Sequence, residues 1–159
     1  MKKIFTFTLA LFTVAIFADS HVIVKQNGEK IEVNYLTTKN NTIYYSLAGS
    51  TNINEISTFA VEQVIEKSTK DVIVDNTKIN VSGKSGYKNV AFIESNQANG
   101  LQKEATLKTV IHKAKGQSRT EWTEQAKTRI QKQAAEQGFP FVIIIDQNDS
   151  QIEAVAYNY

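Results

Sequence analysis

One segment of this chain is bounded at both ends, and it limits what the rest can become. Ser118 is followed three positions later by Glu121, the spacing of a capping box in which each side chain closes the other residue's backbone amide. From there Trp122, Ala126, Ile130 and Ala134 fall at four-residue steps, with Gln137 three further on and Ala135 flanking, and define an apolar stripe. Glu121 and Glu124 lie early, with Lys127, Arg129 and Lys132 later, the polarity that the helix dipole favours. Gly138 supplies a left-handed stop and Pro140 bars resumption. The spacing predicts a helix over 119–137, the only long one, and a stripe of this kind has to be laid on a sheet.

The remaining segments read as strands. His21 to Gln26, the pair Asn27-Gly28, and Glu29 to Leu36 spell a hairpin on a two-residue type I′ turn. A second hairpin is signalled by residues 38–41 followed by 42–47, and apolar runs at 56–65, 71–74 and 78–81 continue the meander, with Asp75-Asn76 as a turn. After about Tyr87 the plan changes: strands at 89–94 and 105–113, the helix, and then Phe141 to Asp146. That last run is continuously apolar, as a central strand covered on both faces would be. A turn at 146–150 leads into a final strand, 151–159. The fold class expected is therefore α+β, built from a β-rich module over 19–84 and an α+β module over 85–159. The first is an antiparallel meander or partial barrel, and the second is ββαββ with one helix packed on a sheet.

Residues 1–18 are read as a signal peptide and excluded from the fold. Lys2 and Lys3 precede the apolar and threonine run Ile4 to Ala18, and polarity returns at Asp19 and Ser20. A membrane span takes roughly 20 apolar residues, and this run is shorter. The expected cut lies between Ala18 and Asp19, with a cut after Ser20 as the competitor. The chain has no cysteine, which closes the lipoprotein route and leaves burial as the source of stability. Removing residues 1–18 takes away two of 18 basic residues and none of 16 acidic ones, so the mature chain is formally neutral. A general attraction to nucleic acid is not supported. The expected location is the periplasm or beyond the cell, without a transmembrane anchor.

The set Ala126, Ala134, Ala135, Gly138, Val142 to Ile145 and Ala156-Tyr157 resembles small envelope proteins of the Rcs stress-sensor lipoprotein type. Residues 25–31 look like a strand module common in exported proteins of Bacteroidota. Each resemblance covers about half the chain, and neither assigns a functional residue. The chain departs from the sensor type in lacking both the lipid-bearing and the disulfide-forming cysteines. A sensing role in the envelope is what the resemblance implies.

Chemistry-bearing residues are few. The two histidines are His21 and His112, so a Ser/His/acid triad would have to use one of them. A small hydrolase using His112 is the enzyme alternative, and a surface histidine is the plainer reading. Asp146, Asp149 and Glu153 match no calcium-loop spacing and read as a turn between strands. Lys113, Lys115 and Arg119 crowd the helix entrance beside Ser118, where free amides and partial positive charge can hold an anion, although Ser118 and Glu121 compete for those amides. A cut after Ala18 would give a mature start of Asp19-Ser20-His21. The α-amine, two backbone nitrogens and the imidazole could then close a square plane around Cu(II) or Ni(II). Tyr35, Tyr44, Tyr45, Tyr157 and Tyr159 suit a contact surface and are equally ordinary strand residues. The closing alternation of residues 151–159 resembles the last strand of an outer-membrane barrel, a fold that the capped helix and the run at 141–146 contradict. The sequence-level expectation is thus an exported binding protein, acting as an envelope adaptor or sensor or as a small-ligand binder, with no catalytic residue assigned.

Overall fold

The computed structural model describes residues 20–159 apart from positions 111, 113 and 149. The segment read as a signal peptide, together with Asp19, Lys113 and Asp149, lies outside the described residues. The molecule is α+β and mostly strands. The first sheet contains β1 (His21–Lys25), β2 (Lys30–Lys39), β3 (Thr42–Ser46), β4 (Asn54–Ser57), β5 (Val61–Glu66) and β6 (Val72–Asp75). They lie in the order β4-β3-β2-β1-β5-β6, each pair antiparallel.

That order forces curvature. β4 and β5 are four strand intervals apart, about 19 Å across a flat sheet, yet only the 3-10 turn Thr58–Ala60 joins them. Such a turn rises about 2 Å per residue, so the sheet has to curl until its β4 edge approaches β5. Ser57 starts the turn, its Oγ accepting from the Phe59 amide at 3.2 Å, and the Thr58 amide donates to the Asn41 carbonyl at 2.8 Å. Inside the curl lie Ile23, Val33, Ile43, Ile56, Val61 and Val64, all buried.

The second sheet has β7 (Ala91–Phe92), β8 (Gln102–Val110), β9 (Phe141–Gln147) and β10 (Gln151–Asn158), ordered β7-β9-β10-β8. β7 runs parallel to β9 and the other pairs are antiparallel. Between β8 and β9 comes α1 (Arg119–Glu136), so the chain order is the expected ββαββ. Trp122, Ala126, Ile130 and Ala134 are buried against Leu107, Val142, Ile152, Ala154 and Ala156 of the sheet. Gly138 has φ +78° and ends the helix. No helix among the described residues is long and apolar enough to cross a membrane.

The capping box is formed on both sides. Ser118 Oγ accepts from the Glu121 amide at 3.2 Å, and the Ser118 amide donates to Glu121 Oε2 at 2.9 Å. The bonds from Ser118 hold the Glu121 carboxyl below its ordinary range. Ser118→Ala is expected to cost about 1 kcal/mol in urea unfolding. Because the folded-state pKa of Glu121 is the depressed one, its contribution is present above the unfolded value. It fades as pH falls through the folded one; Ser118→Ala keeps the backbone amide that is the larger cause and should flatten that part of the acid profile only in part.

Several expectations change. The Asn27-Gly28 turn is not type I′: Gly28 alone has positive φ, at +88°, and Lys25 exchanges bonds with Gly28 and Glu29. This is a three-residue loop with glycine in the left-handed position. The type I′ pair is Asn40-Asn41, at φ +50° and +58°, closing β2 onto β3. Residues 78–81 form no strand, because the Ile79 amide is taken by the Tyr159 hydroxyl at 2.7 Å and the Asn80 carbonyl by Asn89 Nδ2. The strand expected over 89–94 shrinks to Ala91–Phe92, ended by a short 3-10 turn, Ser95–Ala98. β8 stops at Val110 rather than at residue 113. In β9 only Phe141 to Ile143 are buried; Ile145, skipped in the pairing with β10, is 55% exposed. β9 is nevertheless an interior strand, between β7 and β10, and β10 lies interior beside it.

Candidate functional site

β9 serves two cores. Val142 faces α1, whereas Phe141 and Ile143 face a third cluster that also takes in Phe59, Ile79, Leu101, Tyr157 and Tyr159. This cluster is the seam between the curled sheet and the second sheet. At its centre Phe141 meets Phe59 and Tyr159, each with ring centroids 5.2 Å away, tilted 46° to the first and edge-on to the second. Lys78 Nζ stands 4.8 Å from the centre of the Tyr159 ring. Partial burial raises the Tyr159 phenol above its ordinary pKa, offset in part by the Ile79 amide.

Beside these rings the seam opens into a cavity of about 480 Å³. Phe59, Ile79 and Tyr159 give it an apolar wall, and Thr38, Asn41, Thr58, Asn76 and Thr77 give it hydroxyls and amides. Asp75 is the one charged residue among those that line it. The polar wall is fixed by bonds behind it. Asn76 Nδ2 donates to the Thr58 and Val61 carbonyls at 3.1 Å, and its backbone amide donates to Glu62. Gln26 Nε2 donates to the Asn76 carbonyl at 3.0 Å. A rigid wall of this kind can orient a ligand without first having to order itself. The volume falls in the range of small-molecule sites, about 300–1,000 Å³.

The residues singled out in the sequence lie elsewhere. Lys115, Ser118 and Arg119 are exposed at the start of α1, and the Glu121 carboxylate already takes the Ser118 amide. An anion would compete with it. His112 is exposed beyond the end of β8, and among the described residues it has no hydrogen-bond or ion-pair partner. Ser20 Oγ is bonded to His21 Nδ1, and the His21 ring lies 5.4 Å from that of Tyr35. His21 also pairs with Val33 and Glu66 in the sheet, and the Ser20 carbonyl accepts from Lys67. Copper chelation there would have to release these bonds. Among the described residues no group of three His, Asp or Glu side chains is placed to hold a metal.

The cavity was not visible in the sequence, because its walls come from four separate stretches. Only Tyr159, as an aromatic, and residues 38–41 and Asp75-Asn76, as turns, carried any signal. No protein family, curated protein or solved structure matches the chain, so the resemblances drawn above rest on their residues alone.

Proposed function

We propose that this is an exported binding protein of the periplasm or extracellular space, and that it takes a small uncharged ligand into the seam cavity. The observation that carries the reading is the preformed cleft with an aromatic wall at Tyr159 and a braced amide and hydroxyl wall at Asn76. Hydroxyls and amides can be satisfied by a neutral polar ligand, and the charges at hand, Asp75 in the lining and Lys78 over the Tyr159 ring, are of opposite sign and favour neither a cation nor an anion. An adaptor or sensor role in the envelope is compatible with such a site, the captured ligand being the signal. A hydrolase centred on His112 gains no support from its exposed, unpartnered position.

The test is a screen of uncharged sugars and short neutral peptides by protein-observed NMR. Binders are expected to shift the amides of residues 38–41, 58–59, 75–79 and 159 together. Thr77→Trp, which fills the cleft from an exposed position, should abolish those shifts while leaving the remaining spectrum in place. Binders that shift only amides elsewhere would take the cavity out of the reading.

A further inference from the structure

β8 is the long open edge of the second sheet: nine residues, paired on one side with β10 and, among the described residues, with no strand on the other. The direction of its free groups is fixed by one bond. Gln133 Nε2 of α1 donates to the Lys108 carbonyl at 3.3 Å, so the backbone groups of Lys108 point away from β10. By the two-residue period of a strand those of Thr106 also point outward.

The edge is self-complementary about Thr106. If a second β8 lies antiparallel with the two Thr106 residues opposite each other, Glu104 of each copy falls opposite Lys108 of the other. The outward backbone groups of the two Thr106 residues are then in phase for pairing, and Glu104, which stands in the bulge of β8, brings its charge to Lys108 rather than a ladder bond. Glu104 has no ion-pair partner among the described residues, and Lys108 Nζ already touches Glu153 Oε2 at 3.0 Å. The charges would therefore alternate from β10 across the junction.

We infer that the chain forms a two-fold dimer through β8, joining the two four-stranded sheets into one continuous sheet of eight. Lysine and glutamate on an edge normally repel a foreign strand; in this register they select a second copy of the same one. The bulge at Glu104, opposite Ala156/Tyr157, confines the regular part of the edge to residues 105–110.

The test is sedimentation equilibrium of the chain from Asp19 onward, which contains every described residue, at micromolar to millimolar concentrations. The wild-type chain is expected to dimerise, more weakly at high salt. Glu104→Lys puts like charges opposite twice and should raise the dissociation constant about tenfold or more. Thr106→Pro removes an outward amide that β10 does not use, so it should yield a monomer with unchanged circular dichroism and melting. A wild-type chain that stays monomeric throughout would overturn the inference. So would a dimer that survives Glu104→Lys, a reading that holds even if the proline variant fails to fold.

Discussion

Trp122→Ala is expected to lower the free energy of unfolding by about 3–5 kcal/mol, the range for emptying a fully buried tryptophan site. Trp122 is 2% exposed and is the largest side chain in the core beneath α1. Its surroundings cannot close over the gap. Leu107, Ile152 and Ala154 stand on strands held in ladders, and the neighbouring helical positions facing the sheet include Ala126, Ala134 and Ala135, too small to reach across. Urea unfolding should show a lower midpoint with an unchanged slope, the sign of lost stability without a change in the unfolded chain. Trp122→Phe, which keeps most of the volume, should lose about half as much or less. A loss below about 1 kcal/mol for the alanine variant would mean that the helix is not docked by this residue.

Gly100→Ala should cost about 3 kcal/mol, although the residue is exposed. Two terms add. Gly100 has φ +88°, where a side chain costs roughly 1–2 kcal/mol. A Cβ there would also stand 2.7 Å from Ile56 Cγ1 and 3.1 Å from Ala60 Cβ, both in the buried core of the curled sheet, and overpacking of this kind costs about 1–3 kcal/mol. Gly28→Ala separates the two: Gly28 has the same φ and open space around it, so it should cost about 1 kcal/mol. Equal melting losses for the two variants would show that the loop at Gly100 is not pressed against the curled sheet.

The helix was readable because its signals are local. Ser118, Glu121 and Gly138 act within four residues of themselves, and the stripe from Trp122 to Ala134 needs only one apolar surface to meet. Turn geometry was readable only in kind. Asn27-Gly28 serves a type I′ turn or a glycine bulge equally well, and the choice falls to the register of His21 to Val24 against Lys30 to Val33. Residues 78–81 alternate like a strand, but the Ile79 amide is claimed by a hydroxyl 80 residues away. The cavity at the seam depends on such long-range closures. Its threonines and asparagines have the composition of any turn, and only the packing of Phe59, Phe141 and Tyr159 makes them face one space.

The position of β10 has a consequence for how the chain folds. It is an inner strand of its sheet, yet it is synthesised after both neighbours, β8 and β9. Until it emerges, β8 has no partner in the sheet, α1 has only part of the surface it docks on, and the seam lacks Tyr157 and Tyr159. The second half thus has no stable partial structure on which to pause, and long-range pairing of this kind is slow. Folding of that half is committed last and all at once, so it stays open until β10 has been made.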